Sequence, residues 1–419
     1  MQPIQIDAQQ LLDDLAAIAQ IGRDPAGGVS RLAYTLQEQW AREWFVEQAR
    51  AIGLLISADS VGNILALEPD AGDLTPVLSG SHLDSVPRGG NFDGMLGVAT
   101  ALAAVRAIRE QVGTSGRRPL GVLLLAAEES SRFGSGCLGS RMLIGEIQPA
   151  DLHKLVDAEG VTLFQAMEQM GLQPDQLSAA RRDAGWFHEF IELHVDQADD
   201  LFKAEKPLGM VVGIAAPTRL RIVFAGQAAH SGATLMDQRH DALVGSAELI
   251  LAIEAAARSR MTQEIVATVG ILQIEPGAMN VIPGRAELGV DIRGIAAQTV
   301  GEVVQAVRET AEKIAQKRGL TVVISTISQA QPLTISAENI TRLEKACQAV
   351  GVESMRMVSR SAHDALYLGR QGAVSMLFVR NPAGISHNPA EAAWDADVVQ
   401  GAAVLATYMA EAGRIIINN

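Results

Sequence analysis

GVLLLAAEE, residues 121–129, is the stretch on which the fold turns. Its first seven positions carry no polar side chain, and two carboxylates follow at once. An apolar run of that length suits a strand covered on both faces by helices, as in an α/β sheet. Upstream, Gly94 to Ile108 reads as a buried, Ala-rich helix, and shorter strand patterns occupy 62–67 and 76–80. Roughly 31–52 has helical periodicity, with Leu32, Leu36, Trp40, Trp44 and Phe45 recurring at threes and fours. The first 22 residues lack a basic start followed by an apolar core, so they read as an amphipathic helix and not as a leader. Alternating strands and helices of this kind predict an α/β layer fold.

The middle of the chain has a different texture. RLRIVFAG (219–226) reads as a strand and 239–259 as a helix. Two strands follow at 265–275 and 285–293, then a helix at 299–317 and a last strand at 320–328. That order is β-α-β-β-α-β, a ferredoxin-like unit able to fold as its own layer. We expect it at 213–328, inserted into a larger domain made of 1–212 and 329–419.

Composition narrows the partners. The 419 residues are too many for one ordinary core. Hydrophobic residues make up 48% and charged residues 20%, which marks a folded chain and not a disordered one. Aromatics are only 4%, too sparse for the stacking platforms of single-stranded nucleic-acid binders. The formal net charge is −14 and no Lys/Arg-rich run occurs, so nucleic acid and anionic membranes are poor partners. Cys137 and Cys347 cannot make a disulfide framework, and no stretch approaches the ~20 apolar residues of a membrane span. The expected compartment is the cytoplasm.

Four segments place metal-ligand residue types at the ends of apolar runs. In the first, 78–97, His82 and Asp84 sit at i and i+2 and share a face if they end a strand. Asp84 there suits a supporting role, a carboxylate orienting a ligating imidazole. Asp93 follows in a glycine-rich loop. The second holds Glu128 and Glu129, adjacent carboxylates whose side chains diverge, so that one can bind metal while the other faces a substrate water. The third is FIELHVDQ (190–197), with His194, Asp196 and Gln197, and the fourth is NPAGISHNPAE, with His387 in a Gly/Pro-bounded loop. Three histidines, one aspartate and one glutamate suffice for two metals sharing a bridging carboxylate. Imidazole and carboxylate suit zinc, manganese, cobalt and nickel alike. His153, His188 and His240 have no comparable setting and read as surface or structural.

GSHLDSVPRGGNFDGMLGV, EESSRFGSGCLGSRML, ELHVDQ, GMVVGI, GQAAHSGATLMDQRHDAL, PGAMNVIPGRAELGVDIRG, AHDAL and GISHNPAE occur in that order. Together they resemble the N-carbamoyl-L-amino-acid hydrolases, with allantoate amidohydrolase, ureidoglycolate amidohydrolase and β-ureidopropionase. These belong to the aminoacylase and carboxypeptidase-like dinuclear metallohydrolases. The resemblance implies a metal-binding α/β catalytic domain with a mixed sheet, and an inserted ferredoxin-like lid that also forms a homodimer. It implies two divalent ions, with His82 and His194 each ligating one, Asp93 bridging, and Glu129 with His387 holding the second. Glu128 would be the general base. His230, Asn280 and Arg293 would be lid residues gripping substrate, with Arg293 on its carboxylate and His230 steadying the oxyanion in the partner subunit's site. Gln197 and His363 would be further substrate contacts. The implied activity is hydrolysis of an amide or ureido C–N bond in a small ureido acid. The chain departs from the family at Arg360, Ser361 and Ala362, where the family usually reads Gly-Ala-Gly, which puts the familiar substrates in question more than the metal site. Asp196 stands where glutamate is commoner.

Rival readings need other features. Gly134, Gly136 and Gly139 match the dinucleotide spacing G-x-G-x-x-G, but Glu128 and Glu129 separate them from the strand and no long helix follows before Pro149. A dipeptidase or N-acyl-amino-acid deacylase on the same metal core is the nearer alternative. A non-catalytic metal-binding protein would need only one carboxylate of the Glu128–Glu129 pair.

Overall fold

A computed structural model describes residues 2–69 and 73–414. These residues form two compact units. The first comprises the described residues up to Val212, Ile335–Met357, and those from His363 onward; the second comprises Gly213–Thr334 and Val358–Ala362. The second unit therefore runs to Thr334, past the 328 boundary of the strand pattern, and takes in the segment around Arg360.

The strands, in chain order, are β1 (Leu55–Ala58), β2 (Ile64–Leu67), β3 (Val77–His82), β4 (Leu120–Leu125), β5 (Glu189–Val195), β6 (Leu208–Ile214), β7 (Ala216–Ala225) and β8 (Ala229–His230). They continue with β9 (Val266–Glu275), β10 (Val281–Ile282), β11 (Arg285–Gly294), β12 (Thr321–Gln329), β13 (Leu333–Thr334), β14 (Ser354–Ser359) and β15 (Ala373–Val379).

In the first unit the sheet order is β1-β2-β4-β3-β5-β15-β6. β4, β3, β5 and β15 run parallel, while β1, β2 and β6 pair antiparallel, so the sheet is mixed. Every residue of β3, β4 and β5 is buried, the pattern of strands covered on both faces. Helices Met95–Gln111 and Asp395–Ala412 pack against each other and against β3 and β5. Leu96, Val98, Leu102, Val105 and Ile108 are fully buried, each side chain contributing about 1.5–3 kcal/mol of burial. Gly94 caps this helix at φ 72°, and a Cβ there would lie 2.5 Å from His82 Cε1, so only glycine lets the chain pass over that ring. The parallel strands reverse their winding between β3 and β5, and crevices at such switch points are where α/β sheets bind ligands.

Helix Leu36–Ala51 turns part of its periodic apolar set outward. It buries Glu38, Ala41, Phe45 and Ala49, whereas Leu36 and Trp40 are 59% and 52% exposed. Glu38 goes inward because Arg42 and the Tyr34 amide satisfy its carboxylate there, and this rotates the large apolar side chains outward.

In the second unit β7, β9, β11 and β12 form an antiparallel sheet of order β12-β7-β11-β9. Helices Ala242–Arg258 and Ala297–Arg318 lie on it, enclosing Leu220, Ile222, Phe224, Leu249, Ile253, Val303 and Val307. β7 alternates buried and more exposed positions over its length, as a strand with one covered face must.

Candidate metal centre

Side chains from four strand ends meet at the carboxyl edge of the parallel strands. His82 is the last residue of β3 and His194 lies near the end of β5. Glu128 and Glu129 follow β4, and His387 lies in the loop after β15.

His82 and His194 are buried with ring centroids 6.1 Å apart. Each Nδ1 lies 2.9 Å from a backbone carbonyl, Asp84 O for His82 and Val195 O for His194. A carbonyl only accepts, so Nδ1 carries the proton in both rings and a neutral ring presents its Nε2 lone pair. Those lone pairs face Asp93 Oδ1, which is 3.4 Å from His82 Nε2 and 3.2 Å from His194 Nε2. Among the described residues neither Nε2 has a hydrogen-bond partner. A lone pair aimed at a carboxylate is repulsive unless a proton or a metal cation mediates. Two ligand atoms ~2.0–2.2 Å from one tetrahedral ion lie about 3.3–3.6 Å apart, close to the separations seen. On the other oxygen, His387 Nε2 is 3.4 Å from Asp93 Oδ2 and 3.4 Å from Glu129 Oε1. His82, Asp93 and His194 form one potential ligand group, and Asp93, Glu129 and His387 another. The donor types fit divalent ions, and Asp93 is common to both groups.

The electrostatics match that arrangement. Burial would raise the Asp93 carboxyl, but the His194 charge and the contacts of all three imidazoles hold it well below the usual carboxylate range. Burial opposes protonation of His194, yet Asp93 outweighs it and pushes that ring up to about 9. Contact with Asp93 likewise takes His387 to about 9, against burial. Glu128 reaches about 8, first through burial, with His82 opposing and Glu129 and Asp93 adding. Its Oε2 is 3.7 Å from His82 Nε2. Burial and then the Asp93 charge bring Glu129 to about 7.

Asp84 acts differently from the expectation. Its carboxylate accepts the backbone N–H of Glu128 at 3.1 Å through Oδ1 and of Glu129 at 3.0 Å through Oδ2. Its backbone carbonyl is what orients His82; the carboxylate is 3.6 Å from that ring, too long for a hydrogen bond.

Other expected residues take the following places. Gln197 Nε2 donates to Asp93 Oδ2 at 2.9 Å. His363 is buried edge-on to His194 at 4.6 Å, and burial followed by the His194 charge keeps it neutral. In the second unit, His230 and Asn280 adjoin, with Ser231 N donating to Asn280 O at 3.0 Å. His230 Nδ1 accepts from Gly232 N and Ala233 N, which leaves Nε2–H as an outward donor. Arg293 forks onto Asp291, with Nε and Nη2 at 2.9 and 3.2 Å from its two oxygens. Arg360 lies beside it: its carbonyl is 3.4 Å from Arg293 Nη1, and its guanidinium is 3.4 Å from Glu264.

Two further residues were not legible as site residues. Ser386 Oγ lies 3.0 Å from Asp93 Oδ2 and 2.9 Å from Glu391 Oε2, with one O–H to give to either carboxylate. Glu391 Oε1 accepts the backbone N–H groups of Phe92 and Asp93, each at 3.0 Å. Their only signal in the sequence is proximity to His387. The Gly134–Gly139 run leads into a helix of six residues, Leu138–Leu143, too short to present a dinucleotide site.

The family model described as peptidase family M20/M25/M40 matches residues 78–411. The chain is 37% identical to the N-carbamoyl-L-amino acid amidohydrolase of Geobacillus stearothermophilus, covering 96% of this chain and 97% of that protein. It is 34% identical to the ureidoglycolate hydrolase of Oryza sativa subsp. japonica, covering 97% of this chain and 85% of that one. A hydantoinase/carbamoylase family amidase from Burkholderia multivorans aligns with a TM-score of 0.86 at 30% identity, over 98% of this chain and 99% of that one. The chain belongs to peptidase family M20/M25/M40, in the group of the N-carbamoyl-amino-acid amidohydrolases and ureidoglycolate hydrolases.

Proposed function

We propose that this chain is a cytoplasmic amidohydrolase that uses two divalent ions to cleave the linear amide or ureido C–N bond of an N-carbamoyl amino acid or a similar ureido acid. One observation carries the reading: two buried imidazoles aim unpartnered Nε2 atoms at a carboxylate whose other oxygen faces a third imidazole. His82, Asp93, Glu129, His194 and His387 hold the ions, of zinc, manganese, cobalt or nickel. Bound there, divalent ions act as Lewis acids and acidify water from its bulk value toward a pKa of ~7.

Glu128 takes a proton from the attacking water and delivers it to the leaving nitrogen. Burial raises this carboxyl, and divalent cations held beside it would lower it again, favouring the carboxylate form that a general base needs. His230, whose Nε2–H points outward, donates to the oxyanion of the partner subunit's substrate. Arg293 takes the substrate carboxylate in exchange for Asp291, with Asn280, Gln197 and His363 as further contacts. For a carbamoyl substrate, one water yields the amino acid, ammonia and carbon dioxide.

The second unit serves as lid and homodimer contact. β9 is an edge strand exposing Ile271, Leu272 and Ile274, an apolar edge that calls for a pairing partner. No described helix is long and apolar enough to cross a membrane.

The test is ammonia release from a panel of ureido acids after metal removal and reconstitution with each of the four metals, beside N-acetyl-amino acids and dipeptides. We expect turnover of ureido acids only with metal restored, and almost none from Glu128→Gln with its metals retained. Preferential cleavage of N-acetyl or dipeptide substrates assigns the chain to the deacylases or dipeptidases, and failure to take up metal removes the proposal.

A further inference from the structure

Glu128 is gripped from the loop that follows it. Cys137 N donates to Glu128 O at 2.7 Å, Leu138 N to Ala127 O at 2.9 Å, and Gly139 N to Ala126 O at 2.8 Å. Cys137 sits at φ 52°, in the left-handed region, and a Cβ on Gly136 would be 2.8 Å from Glu128 O. The backbone thus fixes where the Cys137 side chain goes. Its Sγ lies 3.2 Å from Glu128 Oε1. The residue is 2% exposed, and burial followed by the Glu128 charge holds the thiol well above its ordinary range. It therefore stays S–H, and donates to Glu128 in the carboxylate form that a general base must have, which can only accept. The other oxygen, Oε2, faces His82.

We propose that Cys137 is a positioning residue for proton transfer: its thiol holds Glu128 Oε1 and reserves Oε2 for the reacting proton. The inference rests on Glu128 acting as general base. The attacking water gives its proton to Oε2, forming an O–H bond there. That bond breaks as the proton passes to the leaving nitrogen and the C–N bond is cut, and the carboxylate is restored. A thiol is a weak donor, so it fixes the carboxylate's rotation while withdrawing little of its basicity.

The test reads the contact and the turnover separately, on the metal-loaded full chain. The chain has only two cysteines, so the infrared S–H band lost in Cys137→Ala belongs to Cys137. We expect that band at the low frequency of a hydrogen-bonded thiol, rising in Glu128→Gln because a carboxamide is a weaker acceptor than a carboxylate. Cys137→Ala should lower kcat about fivefold, one modest hydrogen bond, with KM and metal content unchanged. Cys137→Ser, which keeps a donor, should stay within about twofold of wild type. An S–H band indifferent to Glu128→Gln overturns the proposal, as does full kcat in Cys137→Ala. Loss of metal with a raised KM that serine does not rescue also overturns it, as a merely structural role. If the wild-type chain turns over no ureido acid, the functional reading fails instead, and the infrared band alone decides the contact.

Discussion

Replacing Asp84 by Asn keeps the shape of the side chain and removes half of its accepting capacity. In the structure one carboxylate oxygen accepts from Glu128 N at 3.1 Å and the other from Glu129 N at 3.0 Å, in a setting 1% exposed to solvent. An asparagine must turn its NH2 toward one of those N–H groups, whichever way it flips. The lost charge-assisted bond is worth about 1.5–3 kcal/mol, and the stranded amide adds about 1–3 kcal/mol. Relief of repulsion from Glu128, Glu129 and Asp93 offsets part of this, so we expect a net local cost of about 2–4 kcal/mol. The readout is hydrogen exchange of the 126–137 segment, in which exchange by opening should accelerate roughly 30- to 700-fold. Metal content and kcat should fall together, because the two amides that set the directions of Glu128 and Glu129 are no longer both held. Native exchange rates at 128–129 in Asp84→Asn, with full activity, would refute the reasoning.

Other outcomes follow from the same geometry. Gly94→Ala puts a Cβ against the His82 ring and should weaken metal affinity about 10- to 100-fold, read by competition with a chelator. Arg293→Ala should raise KM about 10- to 100-fold for substrates bearing a carboxylate while sparing neutral amide analogues; equal losses for both would assign Arg293 to its Asp291 pair. In metal-free protein Glu129 and Glu391 sit near 7, Glu128 near 8, and His194 and His387 near 9, all above their unfolded values. Folding therefore takes up protons, and the stability these groups contribute is complete below the unfolded carboxylate pKa of ~4.3 for Glu and ~6.5 for His. It is lost as pH rises through 7 to 9, so the melting temperature in chelator should fall across that window. A melting temperature that rises there would contradict the assignment.

What the sequence reveals here depends on whether a feature is local. β4 and helix Met95–Gln111 were legible because long apolar runs leave few alternatives to burial. The four segments carrying His82, Glu129, His194 and His387 were legible because strand ends deliver their side chains to one edge. Ser386 and Glu391 were not, since what marks them is contact with Asp93 and its backbone across almost the whole chain. The orientation of helix Leu36–Ala51 was not legible, since its spacing marks the helix but the inward Glu38–Arg42 pair leaves Trp40 to solvent. The Asp84 carboxylate does lie beside His82, but its hold on the Glu128 and Glu129 amides is a contact across more than forty residues that spacing does not show.

The latch from Ser386 and Glu391 onto Asp93 also bears on biosynthesis. Asp93 emerges from the ribosome early, with His82 and Glu129, yet the partners of its Oδ2 and of its backbone N–H include residues made in the last tenth of the chain. A polypeptide ending before Ser386 still carries His82, His194 and Gln197 to meet Asp93, but lacks the groups that hold its backbone N–H and share its Oδ2.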